Sequence, residues 1–221
     1  MSFTFFTDRL GGNSQGDFSS LNLALHVDDD SATVLLNRAL IDKEHGKTVY
    51  MNQVHGDDIG IISEYSDQVL TCDSLVTTVP GITLAVLTAD CIPLLLSSEK
   101  VIAAVHVGRR GLVNGVATKT VLKMRELGAL SITATLGPSI CGTCYEVDQN
   151  TFNEVIASYP EAKSVTSLGT PALDLARALV GDLKNLSIDC IVDSRCTLED
   201  SHLFSYRRSH RTGRQAGLIR L

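Results

Sequence analysis

The chain has 221 residues, 44% of them hydrophobic and 20% charged, enough apolar material for a sizeable globular core. Its formal net charge of −6 excludes the basic footprint of a non-specific nucleic-acid binder. Aromatic residues are only 5% and Trp is missing, so the core must be built from Leu, Val, Ile and Ala.

Apolar runs are spread evenly along the chain without a repeat or a low-complexity linker, which predicts a single domain over residues 1–221. Phe3–Phe6 reads as a strand and Gly11–Asp17 as a Gly, Asn and Ser loop. Ser31–Glu44 has partial helical periodicity and a cap in Asp30 or Ser31. Lys47–Val54, Ile59–Ile62, Ser74–Thr78, Ile82–Leu87, Ile92–Ser97 and Val101–Val107 read as short strands. Several are continuous apolar runs, the mark of strands covered on both faces. Leu112–Leu127 carries the clearest helical stripe, with Gly128 as terminator. Ser131–Leu136 is a strand and Thr151–Ser158 a short helix. Ala172–Leu183 is a helix opened by Thr170 and Pro171, and Ile188–Val192 and Ala216–Leu221 are strands. The expected class is α/β: two stacked mixed β-sheets flanked by helices.

The N-terminus lacks the pattern of a leader, and the longest apolar stretch, Ile82–Leu96, is interrupted by Thr88, Asp90 and Pro93. A soluble cytoplasmic protein with no membrane partner is the expectation. The six cysteines read as free thiols or metal ligands rather than disulfides.

Three segments carry ligand-type residues: NQVHG (52–56) with His55, TADCIPLLL (88–96) with Cys91, and AAVHVGRRG (103–111) with His106. Taken singly, each residue suits a core position; together they make a His, Cys, His set that leaves one zinc position open. Spacings of this length do not establish that the three converge. Gly108, Arg109, Arg110 and Gly111 open a helix, where free N–H groups and arginines suit an anion. Asp73 and Asp90 are the carboxylates nearest the ligand-type residues, as proton shuttle or as ligand orienter. Arg207, Arg208, Arg211 and Arg214 cluster around Tyr206 and Gly213, where at least one fork is expected to enter a site that binds phosphate or carboxylate. The alternation of Phe204 and Tyr206 with polar neighbours suggests a strand there. CGTC (141–144) reads as free thiols, with a zinc-ribbon role disfavoured because no second CxxC exists.

Taken in order, NQVHG, CDSLVT, TADCIPLLL, AAVHVGRRG, GPSICGTCYEV and CTLEDSHLFSYRRSHRTGR resemble the motifs of the YfiH-like family. This is also the multicopper polyphenol oxidase or laccase-like family, whose members are described as purine nucleoside phosphorylases. The resemblance spans essentially the whole chain, including the loop and SLNL segment near residue 20. It implies two stacked sheets flanked by helices and zinc on His55, Cys91 and His106. It also implies phosphorolysis of adenosine, inosine, guanosine and methylthioadenosine, with deamination of adenosine. The chain departs from the family pattern at Arg109, where Trp is frequent, at Thr143, where Cys is usual, and at Asp28, where Gly is common.

On this reading Cys91 and Asp73 take part in the chemistry, with Asp73 moving protons. Arg110 and one of Arg207, Arg208 or Arg214 hold phosphate. The partners are a purine nucleoside and phosphate, and the chain acts as a monomer or weak dimer. Two alternatives compete. In one, Cys91 is the nucleophile of a metal-independent hydrolase or amidase, as in editing of cell-wall precursors. In the other, copper replaces zinc in a polyphenol oxidase, although only six histidines are present.

Overall fold

Side-chain alternation in the middle of the chain sets the layers. The computed structural model describes residues 2–221. In chain order the elements are β1 (Phe3–Phe6), α1 (Ser31–His45), β2 (Thr48–Val49), β3 (Met51–Asn52), β4 (Ile59–Ile62), β5 (Leu70–Thr71), β6 (Ser74–Thr77), β7 (Thr83–Thr88), β8 (Ile92–Ser97), β9 (Ile102–Val107), α2 (Arg109–Val113), α3 (Val116–Glu126), β10 (Thr133–Leu136), α4 (Gln149–Ser158), β11 (Lys163–Val165), β12 (Pro171–Leu173), α5 (Leu175–Asn185), β13 (Asp189–Val192) and β14 (Gln215–Arg220).

Two main sheets form, one in the order β1-β14-β7-β2 and one in the order β13-β10-β8-β9-β6-β4, each with parallel and antiparallel pairs. Because strand side chains alternate, each central strand feeds two cores. Leu84 and Val86 of β7 meet Leu95 of β8, Ile102 and Ala104 of β9 and Ile219 of β14 between the sheets. Ala85, Leu87, Ala216 and Leu218 face the other way, onto Leu21, Leu23 and Ile41 of α1. Leu94, Leu96, Ala103 and Val105 pack against Val121 and Met124 of α3 and Leu179 and Leu183 of α5. The layers are helix, sheet, sheet, helices, which explains the continuous apolar runs. Each large aliphatic side chain so buried contributes about 1.5–3 kcal/mol.

Four local expectations differ from what forms. The helical stripe from Leu112 to Leu127 is two helices, because Asn114 and Gly115 turn the chain and Gly115 takes φ 75°. Only glycine enters that left-handed region without strain. Residues 171–173 form β12 against β11 rather than the first turn of a helix. Asp174 starts α5 instead, its side chain accepting from the Arg177 N–H at 2.9 Å. The expected strand over Lys47–Val54 splits into β2 and β3, which join different sheets. Phe204 and Tyr206 lie in turns; the Phe204 backbone is paired on both sides by the Gln215 amide, at 2.7 and 3.1 Å. One side chain thus stands in for a neighbouring strand.

Candidate functional site

The chain crosses from one sheet to the other between β7 and β8, and Cys91 ends that crossing. Asp90 makes the turn at φ 104°. Its carboxylate accepts from the Thr197 hydroxyl at 2.7 Å and the Arg207 N–H at 2.6 Å, and its carbonyl from the Ile140 N–H at 2.9 Å. A strained backbone of this kind persists where its surroundings over-determine it. Here three separate segments do so.

β8 and β9 pair with Pro93 opposite His106 and Ile92 opposite Val107, which sets Cys91 beside the end of β9. His106 shares its parity on β9 with Ile102 and Ala104, and Cys91 shares the parity of Leu95, so both belong to the inter-sheet face. His55 comes from the loop after β3, at φ 60°. The ligand atoms of His55, Cys91 and His106 lie within 4.8 Å of one another, with Cys91 Sγ 3.9 Å from His55 Nε2. The two imidazoles meet edge to face at 4.7 Å. Gly108 makes the convergence possible. A Cβ there would stand 3.1 Å from both Cys91 Sγ and His55 Cδ2.

Asp73 sits beneath this group, fully buried just before β6. Its Oδ1 accepts from His106 Nδ1 at 2.7 Å and from the His55 N–H at 3.0 Å. Its Oδ2 accepts from the N–H groups of Val54 at 3.1 Å and Gly56 at 2.7 Å. Burial raises this carboxyl, but the bonds from His106 and the backbone outweigh burial and leave it below its ordinary value. Four bonds and no exposure fit Asp73 to the orienting part, the second of the two expected of it. It orients the His55 loop and fixes the Nδ1–H form of His106, leaving His106 Nε2 as the free donor.

Burial pushes the Cys91 thiol up, yet the charge of His106 and hydrogen bonds from both histidines bring it down to about 6. Burial pushes His106 down, and the Cys91 charge and the Asp73 bond lift it to about 9. The pair favours thiolate beside imidazolium. A thiolate is the form of Cys that ligates metals or acts as a nucleophile. The donor set, the common reach of its three atoms and the carboxylate behind His106 all fit zinc with one position open.

Alongside lies a cavity of about 430 Å³ lined by His55, Cys91, Asp90, Gln53, Tyr145, Tyr206, His26, Arg207 and Arg214, among others. Gln53 is locked by two bonds to the Leu87 backbone, at 2.7 and 2.9 Å. The Arg207 guanidinium lies 5.3 Å over the Tyr145 ring, and that of Arg214 lies 5.9 Å over Tyr206.

The expected arginines therefore divide. Arg207 and Arg214 line the cavity, whereas Arg110 is exposed on the first turn of α2 and does not. Arg109, its neighbour, is the one that turns toward Tyr145 and lies 3.8 Å from Glu154. Adjacent helical residues diverge by about 100°, so one of the two had to face away. Arg208 is consumed elsewhere. Its guanidinium donates to the carbonyls of Thr197, Leu198, Asp200 and Leu203, which makes it a clamp on that loop. His26, Gln53 and Tyr145 escaped the sequence reading as lining residues. Gln53 and Tyr145 stand inside the NQVHG and CYEV motifs, and that adjacency was the available signal. At Asp28 the backbone has φ 62°, the conformation that accounts for glycine being common there.

The match to known proteins runs the length of the chain. The model of the multi-copper polyphenol oxidoreductase laccase family matches residues 3–221. A purine nucleoside phosphorylase of Corynebacterium glutamicum is 44% identical over 97% of this chain and 92% of its own. One of Streptomyces coelicolor is 44% identical over 97% and 93%. Among solved structures, a Neisseria meningitidis protein of family DUF152 superposes with a TM-score of 0.91 at 34% identity, covering 100% of this chain and 94% of its own. YfiH of Bacillus licheniformis superposes with a TM-score of 0.90 at 29% identity, covering 100% and 92%. With this coverage and the shared fold, the chain belongs to the multi-copper polyphenol oxidoreductase laccase family, the family of the YfiH proteins.

Proposed function

We propose that the chain is a zinc-dependent purine nucleoside phosphorylase, acting on adenosine, inosine, guanosine and methylthioadenosine and also deaminating adenosine. The observation that carries this reading is the convergence of the His55, Cys91 and His106 donors beside a cavity that two arginines also line. Relatives more than 40% identical bear the name purine nucleoside phosphorylase, which supports it. The cavity volume is within the ordinary range for small-molecule sites.

His55 Nε2, Cys91 Sγ and His106 Nε2 would hold the zinc, with Asp73 orienting His106. Bound there, zinc supplies a Lewis acid that polarises a substrate atom or acidifies water at its open position. Arg207 and Arg214 hold phosphate as charged forks. In phosphorolysis a phosphate oxygen attacks the anomeric carbon while the bond from that carbon to the purine nitrogen breaks. The departing purine must gain a proton, which hydrogen phosphate gives up as its oxygen becomes the sugar ester, while both Asp90 oxygens are engaged by Thr197 and Arg207. Tyr145 and Tyr206 offer rings for the base or sugar, each backed by an arginine. Incubation of adenosine with phosphate should yield adenine and a pentose 1-phosphate. Turnover should cease on chelation and return with zinc. Undiminished turnover by Cys91→Ala would overturn the reading.

A second reading has its own observation. Cys91, His106 and Asp73 also form a nucleophile, base and orienter in series, the arrangement of a cysteine hydrolase or amidase. Alkylation separates the two: zinc ligation protects Cys91 in zinc-loaded protein, whereas a free nucleophile is labelled and inactivated there. Copper-dependent phenol oxidation is less well supported. His45 is buried against Phe3 and Phe5, His202 sits on Asp200 and His210 on Tyr206, so a multicopper centre would lack ligands.

A further inference from the structure

A second cluster of metal-type donors lies outside the reacting set. Cys141, Cys144, Cys196 and Glu199 bring four ligand atoms within 4.8 Å of one another. Two turns supply them, and the turns are built alike. In the first, the Cys141 carbonyl accepts from the N–H groups of Cys144 and Tyr145, both at 3.0 Å. In the second, the Cys196 carbonyl accepts from the N–H groups of Glu199 at 3.2 Å and Asp200 at 2.8 Å. Each turn therefore offers the side chains at its first and fourth positions: C-x-x-C from one, C-x-x-E from the other.

The two turns are held face to face. Ser139 bridges to Cys196 in parallel, the Thr197 N–H donates to the Ser139 carbonyl at 3.1 Å, and the Cys141 N–H donates to Cys196 Sγ at 3.3 Å. Cys144 Sγ lies 3.6 Å from Glu199 Oε1. Tetrahedral zinc with bonds of about 2.3 Å to sulfur needs sulfurs about 3.8 Å apart. Arg208 wraps the second turn through the carbonyls of Thr197, Leu198 and Asp200, which brings a positive charge beside a group of acidic donors.

We propose that Cys141, Cys144, Cys196 and Glu199 form a second zinc site, closed by four protein ligands and structural rather than catalytic. Three thiolates select a soft or borderline ion such as zinc, and a complete protein shell leaves no position for substrate. Cys141 and Cys144 have no second CxxC in the chain to complete a ribbon. The partner half is C-x-x-E, 55 residues away, and its last ligand is a carboxylate. The site also braces the cavity. The first turn leads straight into Tyr145, and the second carries Thr197, whose hydroxyl holds Asp90 next to Cys91.

Metal analysis of the whole chain, purified under reducing conditions from zinc-containing medium, tests this. Two zinc ions per chain are expected in the wild type and one in Cys196→Ala, with the remaining ion lost only when Cys91→Ala is added. A zinc content that Cys196→Ala does not change would overturn the proposal. Cys196 is buried and its variant could unfold. Cobalt loading of Cys91→Ala therefore gives an independent reading: intense thiolate-to-cobalt absorption is expected to persist there and to weaken in Cys91→Ala/Cys144→Ser. Its absence from Cys91→Ala contradicts the site. So does a count below six thiols in denatured, unreduced protein, because a disulfide would then consume the donors.

Discussion

The two donor clusters of this chain are built on opposite plans. His55, Cys91 and His106 arrive from three separate segments of the chain, depend on a buried carboxylate for orientation and open onto a cavity. Cys141, Cys144, Cys196 and Glu199 arrive in pairs from two matching turns, and no position is left over. A set assembled from three elements needs tertiary structure to exist before it can bind. A set made of two local turns can instead help to define that structure. The open cluster suits chemistry, and the closed one suits support.

The largest effects should separate the clusters by what is lost. Cys91→Ala is expected to take nucleoside turnover to background and, losing an ion held by three ligands rather than four, to lower the melting temperature less than Cys196→Ala does. Cys196→Ala is expected to act on stability. An ion held a thousandfold above its dissociation constant stabilises by about 4.1 kcal/mol, which for a chain of this size is roughly 8–16 °C. Thermal melts of the two variants beside the wild type check both, and equal melting losses would erase the distinction.

Gly108→Ala sharpens it further. The added methyl would crowd Cys91 Sγ and His55 Cδ2 at 3.1 Å, so the open cluster should lose its ion while the closed one keeps its own. Overpacking of this kind costs typically about 1–3 kcal/mol, and metal content by mass spectrometry reads the selectivity. Asp73→Asn should reduce metal affinity at the open cluster or turnover by roughly 10–100-fold. A proton shuttle would also shift the pH–rate profile, and an unchanged profile shape is the outcome expected of a positioning residue. The smallest contrast concerns the arginines. Arg207→Gln and Arg214→Gln should each raise the KM for phosphate, and Arg110→Gln should leave it within about twofold, as a solvated surface charge would. Initial rates at varied phosphate decide.

How much of this was legible in the sequence varied with how local the cause was. The two-sheet layering followed from continuous apolar runs, since a strand between two cores cannot alternate. The two histidines stand in short segments followed by glycine and Cys91 in an apolar one, and Gly108 is the space the three share. Arg110 was chosen over Arg109 because spacing alone does not say which side of a first helical turn faces inward. Which of Arg207, Arg208 and Arg214 faces the cavity is not written in their spacing, because the carbonyl partners of Arg208 belong to a loop whose path only the folded chain defines. Asp73 was recognised as near the site, but its role depends on four bonds that use its oxygens. Cys141 and Cys144 are visible as a pair, while their partners, Cys196 and Glu199, stand more than fifty residues further on in a turn that ends in a carboxylate rather than a second Cys.

The central claim is that the open cluster carries the reaction and the closed cluster supports it. The most direct test is formation of pentose 1-phosphate from adenosine and phosphate by zinc-loaded wild type, Cys91→Ala and Glu199→Gln, assayed well below their melting temperatures. The account predicts phosphate-dependent product from the wild type and from Glu199→Gln, and none from Cys91→Ala. Product from Cys91→Ala at the wild-type rate, or its loss in a folded Glu199→Gln, would contradict it.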